Sequence, residues 1–329
     1  MGYQDSAMKA FFSDSYVFAD VFNYWLYDGA QILEAENFKE ASESLISFSS
    51  KQKNRIGMSK ESVETETKQL KSTEKFRDLV KYCICKEDGK SIYAIMAIEA
   101  QTDVDYSMAA RAMIYDGRQY EKQLSGIRRK RERAIRQLGE QWTLRKFTED
   151  DRLTPVITLI VYLGAMEWNG PRTLHDLLAP QDPVLLRYTA DYKLNLIEPF
   201  AIDEEELDRF QSDMREVILY IKASENTKHL KQLSENQRFR KVSVSAARVI
   251  NEVTKSQLTF NEEEEGIDMC KAIQGMREEE RIEGRTEGKG SIILTFMEKS
   301  KCDLEAALEF FNIEHEEREG IIRFVEANR

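Results

Sequence analysis

The sequence predicts a mixed α/β fold, in which helices flank a central mixed β-sheet and a helical region is appended at the C-terminal end. Two runs, 77–85 and 91–101, are rich in β-branched and aromatic residues and are typical of strands. The apolar run 156–164 does not alternate, which is typical of a strand buried on both faces. Apolar residues recur at helical spacing over 3–28 and 206–260.

Length and composition agree with this class of fold. The 329 residues allow a core of about 200 residues plus a helical region, and 41% of them are hydrophobic while 33% are charged. The four cysteines, Cys83, Cys85, Cys270 and Cys302, show neither a metal-knuckle spacing nor a disulfide framework, so we expect them to be reduced. A net charge of -11 argues against broad nonspecific affinity for nucleic acid.

Two features bear on membranes. The run 156–164 reaches only about half the length that a membrane span requires, and the first residues lack the apolar segment of a signal peptide. We therefore predict a cytoplasmic protein.

The N-terminal part is predicted to be helical and then polar. The aromatic-rich segment 3–28 is expected to pack on the sheet as an amphipathic helix, although Asp20 and Asn23, three residues apart, could instead face a functional site. Residues 34–75 contain few large apolar side chains, which predicts a long polar insertion.

The first two strand-like runs are predicted to form a hairpin that carries acids, with Glu87-Asp88-Gly89 in the turn. Because strand side chains alternate, Glu99 and Gln101 share one face at the end of the second run, and Asp78 can reach the same place. Buried carboxylates are costly without a partner, and a divalent cation is a natural one. The alternative is that these are ordinary polar residues at strand ends.

A helix from about residue 108 to 126 is predicted directly after the acidic strand end, and it carries Arg111. Between 118 and 136 the sequence has eight Lys or Arg residues and two Glu residues. This segment is either a solvated linker or a loop that contacts phosphates. The candidate phosphate-binding residues are Arg118, Lys122, Arg128, Arg129, Lys130, Arg131 and Arg133.

The second half offers fewer candidates. We predict a strand over 191–197 and a helix start at 203–207. His175 could be a general base, but no matched nucleophile lies near it in sequence, which favours an ordinary loop or helix-start histidine. The glycine-containing units 283–285 and 287–289 weaken a helical pattern and predict a flexible joint.

These patterns predict three regions: a core over 1–205 with the polar insertion 34–75, a helical extension over 206–265, and a final region over 266–329 that holds the flexible joint and a small helical tail. The tail resembles either a small helix-turn-helix or a dimerisation element. A homodimer through the C-terminal helices is therefore a further expectation.

Several motifs occur together over about residues 3–200. They are Asp5, Lys9, Phe12, Phe18 and Asn23, then Arg77-Asp78-Leu79, Ile98-Glu99-Ala100-Gln101-Thr102, Arg111 with Tyr115, Leu153-Thr154-Pro155-Val156-Ile157, Tyr162, Gly164, and Trp168-Asn169-Gly170-Pro171. In this order they resemble the Rpn family of recombination-promoting nucleases and putative transposases, which belongs to the PD-(D/E)XK nuclease superfamily.

The resemblance implies a restriction-endonuclease-like core and a metal-dependent hydrolysis of DNA phosphodiester bonds. It implies that Asp78 and Glu99 hold Mg²⁺, for which Mn²⁺ can substitute, and that the Ala100 carbonyl joins them as a ligand. Gln101 takes the position where the superfamily most often has Lys. The basic residues of 118–133 are then candidates for DNA binding.

Gln101 is the departure from the pattern, because a carboxamide orients water by hydrogen bonds but supplies no cation. Arg111 or Lys81 could supply the charge, and Arg111 is the better candidate since Lys81 should point to the opposite face of its strand. We predict a Mg²⁺-dependent DNA endonuclease linked to recombination or a mobile element. The alternative is a weakly active or inactive protein of the same fold that binds DNA or a protein partner.

Overall fold

The computed structural model describes residues 3–40, 79–84, 92–138, 147–179 and 182–328. The chain divides into two compact units. The first consists of Met1–Glu225 and Ser243–Lys255, and the second of Asn226–Val242 and Ser256–Arg329. The predicted helical extension, 206–265, is thus divided between the two units.

A five-stranded mixed sheet forms the centre of the first unit and confirms the predicted fold class. Its strands follow the chain order and are β1 Phe38–Glu40, β2 Leu79–Ile84, β3 Ile92–Gln101, β4 Val156–Tyr162 and β5 Asn195–Ile197. Strands β1 to β3 are antiparallel, and β3, β4 and β5 are parallel. The predicted hairpin is present with Leu79 opposite Ile98, while its turn, 85–91, lies outside the described residues.

Eleven α-helices are present in the described part of the chain. They are α1 Tyr3–Ser13, α2 Ser15–Tyr27, α3 Met108–Leu138, α4 Pro183–Tyr188, α5 Glu204–Leu207, α6 Met214–Ala223, α7 Thr227–Leu233, α8 Val244–Thr254, α9 Met269–Ser300, α10 Leu304–Phe310 and α11 His315–Ala327. Short 3₁₀ segments lie at Ala35–Asn37, His175–Leu177, Pro199–Ala201 and Gln237–Arg240.

Helices α1 and α2 cover one face of the sheet, so the predicted packing of 3–28 is confirmed, but the segment forms two helices and not one. The Asp14 side chain accepts a hydrogen bond from the Tyr16 amide and thereby caps the start of α2. Lys81 of β2 is fully buried on this face, and its Nζ donates to the Ser13 carbonyl at 2.7 Å and to Ser15 Oγ at 2.9 Å. The same ammonium lies 5.0 Å from the centroid of the Phe18 ring and 3.3 Å from Glu40 Oε1. Lys81 therefore joins the sheet to the α1–α2 connection.

Asp20 and Asn23 of α2 have structural partners. Asp20 accepts hydrogen bonds from the backbone amides of Gln211 and Ser212 and from the Ser212 hydroxyl, at 2.6–3.0 Å. Asn23 both donates to the Leu33 carbonyl and accepts from its amide, at 2.8 Å each. These hydrogen bonds anchor two loops and explain why both side chains are buried. The structure therefore favours a packing role for Asp20 and Asn23 over a role in a functional site.

Helix α3 covers the other face of the sheet. Its N-terminal turns contribute Met108 and Ala112 to a buried cluster with Ile160 and Tyr162 of β4. One turn further on, Asp116 accepts a hydrogen bond from Thr158 of β4 at 2.6 Å. The first turns of α3 are thereby fixed over the ends of β3 and β4.

The structure corrects several local expectations. The basic segment 128–136 is neither a linker nor a loop, because α3 continues to Leu138. The predicted strand 191–197 is reduced to β5, and the pattern over 206–260 forms separate helices rather than a continuous one. Strand β1 was not expected inside a polar segment, and it forms because Phe38 is buried opposite Cys83. The rest of the predicted insertion, 41–75, lies outside the described residues.

The second unit contains a small helical core between α9, α10 and α11. It is built from seven buried apolar residues, which are Ile293, Met297, Ala307, Leu308, Ile313, Ile321 and Val325. Helix α9 runs without a break through both glycine-containing units, which corrects the expected interruption. Packing on α11 supports it there, since Lys289 pairs with Glu317 and a Cβ at Gly290 would meet the Phe324 ring at 2.3 Å. Among the described residues, no helix combines the length and the apolar character of a membrane span.

Candidate functional site

Glu99 lies near the end of β3, at the centre of the sheet. It is buried, and its register partner on the parallel strand β4 is Ile160. Strand alternation places Glu99 and Gln101 on the face that α3 covers, together with Ile160 and Tyr162. The sequence predicted this shared face correctly.

Arg111 of α3 reaches the Glu99 carboxylate. Its Nη2 lies 3.1 Å from Glu99 Oε1, and its Nη1 pairs with Asp105 Oδ2. Nε and Nη2 also donate to the Tyr115 hydroxyl, at 3.2 and 3.1 Å. The guanidinium therefore bridges a strand-end carboxylate and a carboxylate of the loop that begins α3.

Asp105 was not selected from the sequence, although it has a structural role here. Its Oδ1 accepts hydrogen bonds from the Ser107 amide at 2.8 Å and from the Ser107 hydroxyl at 2.6 Å. An Asp two residues before Ser at a helix start is a recognisable local turn signal. The sequence did not predict the ion pair between Asp105 and Arg111.

The electrostatics of this cluster favour the charged forms. Burial opposes ionisation of Asp105, but hydrogen bonds from Ser107 and Arg111 outweigh it and lower the pKa of Asp105 below its ordinary 3.8. Burial likewise opposes the charge of Arg111, yet hydrogen bonds to Tyr115 and Asp105 and the field of Glu99 raise the pKa of Arg111. Asp105 and Arg111 thus stay ionised at neutral pH.

Gln101 supplies an oxygen on the same face. Its Nε2 donates to the Met108 sulfur at 3.4 Å, while its Oε1 is buried and accepts no hydrogen bond from the residues that the structure describes. An orphaned buried carbonyl oxygen carries a desolvation cost that a cation or a water can offset. Ala100 lies between these two residues, so its side chain points to the other face, and it pairs in register with Val161.

The loops around the strand ends are tightly packed. A Cβ at Gly164 would lie 2.1 Å from the Tyr162 hydroxyl and 2.6 Å from the Thr102 carbonyl. The Tyr106 hydroxyl donates to Asn169 Oδ1 at 3.1 Å, which ties the loop before α3 to the loop after β4. These contacts hold Asp105 in place at the start of α3.

The other predicted site residues either lie away from Glu99 or are not among the residues that the structure describes. Asp78 precedes the first described residue of β2, so its proposed role as a ligand stays a prediction. The residues that the structure does describe contain no group of three or more His, Cys, Asp or Glu side chains that could hold a metal. Lys81 faces α1 and α2, as the strand period predicted, and His175 bonds through Nε2 to the Thr189 carbonyl at 2.8 Å.

The basic candidates are distributed around α3. Arg118 and Lys122 lie on its exposed or partly exposed surface, as do Arg128 and Arg129. Arg131 instead pairs with Asp151 at 2.6 Å and so anchors the segment that precedes β4. Lys130 and Arg133 belong to the same helix, and their side chains lie outside the described part.

Comparison with known proteins identifies a family. Residues 58–244 match the family model described as "Putative transposase, YhgA-like". The search of curated proteins and the search of solved structures each returned no match. The matched range covers more than half of the chain and includes β2 to β5, α3 and the cluster around Glu99. The chain belongs to the YhgA-like family of putative transposases, which confirms the resemblance seen in the sequence motifs.

Proposed function

We propose that this transposase-like protein is a Mg²⁺-dependent endonuclease that hydrolyses phosphodiester bonds in DNA. The observation that carries the proposal is the pairing of buried Glu99 with Arg111 at the strand end, beside the orphaned Oε1 of Gln101. A buried acid and an adjacent cation are the groups that a phosphoryl-transfer site needs.

The donor atoms fit Mg²⁺ by type. Mg²⁺ prefers oxygen ligands and usually retains several waters, so one or two carboxylates are enough to place it. Glu99 offers a carboxylate as a ligand, and Gln101 places a carboxamide oxygen on the same face of β3, where it can bond a water molecule. We further propose Asp78 as the second carboxylate, because in the sequence it directly precedes Leu79, whose register partner Ile98 directly precedes Glu99. The Ala100 carbonyl is proposed as an additional ligand.

When bound, Mg²⁺ would lower the pKa of a water molecule and neutralise charge on the scissile phosphate. Glu99 would hold the ion, and Gln101 would orient the attacking water by hydrogen bonds. Arg111 would stabilise the negative charge that develops on the phosphate, in place of the usual Lys. Asp105 and Tyr115 are positioning residues, since they fix the guanidinium through hydrogen bonds.

Nicking of supercoiled plasmid DNA tests the proposal. We expect cleavage in Mg²⁺ or Mn²⁺ and none in EDTA, and we expect Glu99→Gln and Asp78→Ala to abolish it. Glu121→Gln is the matched control, because it makes the same chemical change at an exposed position of α3 and should cleave like the wild type. Cleavage by Glu99→Gln at the wild-type rate would exclude Glu99 from the chemistry.

Metal binding provides a second readout that does not require turnover. Titration with Mn²⁺, followed by electron paramagnetic resonance, should show a site in the wild type and in Glu121→Gln but not in Glu99→Gln. Circular dichroism of each variant controls for loss of fold. Equal Mn²⁺ binding by Glu99→Gln would contradict the proposed ligand.

A second candidate function is DNA binding without cleavage by the same fold. Two observations favour it: Gln101 replaces the usual Lys, and Glu99 Oε1 already has a cationic partner in Arg111. In that case DNA would be retained in a salt-sensitive manner while no metal-dependent nicking is detected. Nicking that depends on both Mg²⁺ and Glu99 would dismiss this alternative.

The homodimer through the C-terminal helices stays a prediction. Phe310 is 66% exposed and Ile292 is 56% exposed in the second unit, which leaves apolar surface on α9 and α10. Sedimentation velocity at several concentrations would measure the mass, and a monomer throughout would exclude the dimer.

A further inference from the structure

Four cations of α3 lie in one straight row that starts at the candidate site. Arg111, Arg118, Lys122 and Arg129 are separated by 7, 4 and 7 residues within a continuous helix. At about 100° per residue, these spacings place the four positions within about 40° of each other around the helix axis. The row spans about 27 Å, since each residue of a helix rises by about 1.5 Å.

Arg128 and Arg131, whose side chains the structure also describes, are not part of this row. The same geometry places Arg128 about 100° and Arg131 about 160° from it, and Arg131 pairs with Asp151. Although the chain has a net charge of -11, part of its positive charge is aligned on one side of a single helix. Arg111 joins this row to Glu99, because it contacts that carboxylate directly.

We propose that the row formed by Arg111, Arg118, Lys122 and Arg129 contacts the phosphate backbone of double-stranded DNA and leads it to the Glu99 site. The inference rests on the proposed function and assigns its substrate-binding surface. Duplex DNA carries about one charge per 1.7 Å of its axis when both strands are counted, so 27 Å of duplex holds about sixteen phosphates, and the row would contact those on the side that faces it.

Duplex DNA fits this surface better than a single strand does. Proteins that bind single strands stack bases on exposed aromatic side chains. The exposed large apolar residues of α3, within its described part, are Met113, Ile114 and Leu124, and none of these is aromatic. Of the two tyrosines of α3, Tyr115 is buried and Tyr120 is partly buried, with its hydroxyl bonded to the Val156 amide at 3.2 Å.

Equilibrium binding to a fluorescent 20-base-pair duplex in EDTA tests the row without any cleavage. The test variant is Arg118→Ala with Lys122→Ala and Arg129→Ala, which leaves Arg111 at the site unchanged. The control variant is Lys9→Ala with Arg187→Ala and Lys193→Ala, which removes the same charge from exposed positions of the same unit.

Loss of three phosphate contacts should reduce the slope of log K against log salt by about 2.7 and weaken binding at 0.1 M salt by about 500-fold. The control should stay within about threefold of the wild type. Similar losses in both variants, or wild-type affinity in the test variant, would overturn the proposal. Tighter binding of a single strand of the same length, with the larger loss in the test variant, would overturn the assignment to duplex DNA.

The outcomes separate this inference from the proposed function. If the row binds duplex DNA as described but the wild type never nicks plasmid, the nuclease proposal fails and the binding surface stands. If the test variant both binds and nicks like the wild type, the binding surface fails and the nuclease proposal stands. Glu99→Gln should bind the duplex at least as tightly as the wild type, because it removes a negative charge beside the row.

Discussion

Replacing Arg111 by methionine removes the cation that connects the two sides of the candidate site. In the folded protein its guanidinium contacts Glu99 at 3.1 Å and pairs with Asp105. Methionine retains a long apolar stem but leaves the Glu99 carboxylate without this ion pair. Because Glu99 is only 5% exposed, water cannot fully replace the lost partner.

The expected cost is about 2 kcal/mol. Removing one partner of a fully buried ion pair costs about 3–5 kcal/mol, and exposed pairs contribute about 0–1 kcal/mol. The Arg111 side chain is 30% exposed, so the pair lies between these limits. For a unit of this size, about 2 kcal/mol lowers the melting temperature by about 4–8 °C.

A double-mutant cycle with Glu99→Gln isolates the pair. Glutamine keeps an acceptor oxygen and leaves Arg111 paired with Asp105, so we expect Glu99→Gln to cost less than Arg111→Met. The coupling between the two changes should be about 1 kcal/mol, measured from thermal unfolding by circular dichroism. A coupling near zero, or a loss under about 0.5 kcal/mol for Arg111→Met, would refute the role of this contact.

Mg²⁺ adds a further arm to the experiment. If Glu99 holds the ion, Mg²⁺ at ten times its Kd should stabilise the folded protein by about 1.4 kcal/mol. Arg111→Met should gain more than the wild type at the same Mg²⁺ concentration, because the competing guanidinium is gone, whereas Glu99→Gln should gain little. Equal stabilisation of the wild type, Arg111→Met and Glu99→Gln would show that Glu99 does not hold the ion.

Three further predictions concern the scaffold of the site. Asp20→Ala should destabilise the first unit by about 3 kcal/mol in urea unfolding, since it leaves backbone amides without an acceptor, and a loss under about 1 kcal/mol would contradict the anchoring role. Gly164→Ala should cost about 1–3 kcal/mol because its Cβ would overlap the Tyr162 hydroxyl, whereas the control Gly117→Ala, with open space on α3, should stabilise by about 0.5–1 kcal/mol. Asp105 has a lowered pKa, so its ionised form stabilises the fold above its ordinary pKa of 3.8, and this contribution is lost as the pH falls through the lower folded-state pKa. The stability gap between the wild type and Asp105→Asn should therefore close below pH 3.8, and a gap that is constant from pH 7 to pH 3 would contradict this linkage.

The local periodicity of the chain was sufficient to predict the parts of the site that lie on one strand. Alternation along β3 placed Glu99 and Gln101 on one face, and the same rule placed Lys81 on the opposite face of β2. The sequence order also predicted that a helix with Arg111 follows the acidic strand end directly. These features depend on residues that are close together in the sequence. The period of a strand, two residues, or of a helix, about 3.6 residues, is therefore enough to predict them.

Contacts between distant segments could not be obtained in this way. The sequence did not reveal that Asp105 shares Arg111 with Glu99, or that Arg131 is held by Asp151. Nor did it reveal that β1 pairs with β2, because a strand of three residues in a polar segment has no periodic signal of its own. The glycines of α9 lowered its helix propensity, yet packing on α11 maintains the helix.

The sequence by itself determined the mixed sheet, the hairpin with its acidic end, the following helix and the family of this protein. Only the tertiary structure decided which partners the cations take: it joined Arg111 to Glu99 and assigned Arg131 to Asp151. The physical reason is that secondary structure follows local propensity and period. The partner of a charged side chain depends instead on which elements packing brings within a few ångströms of it.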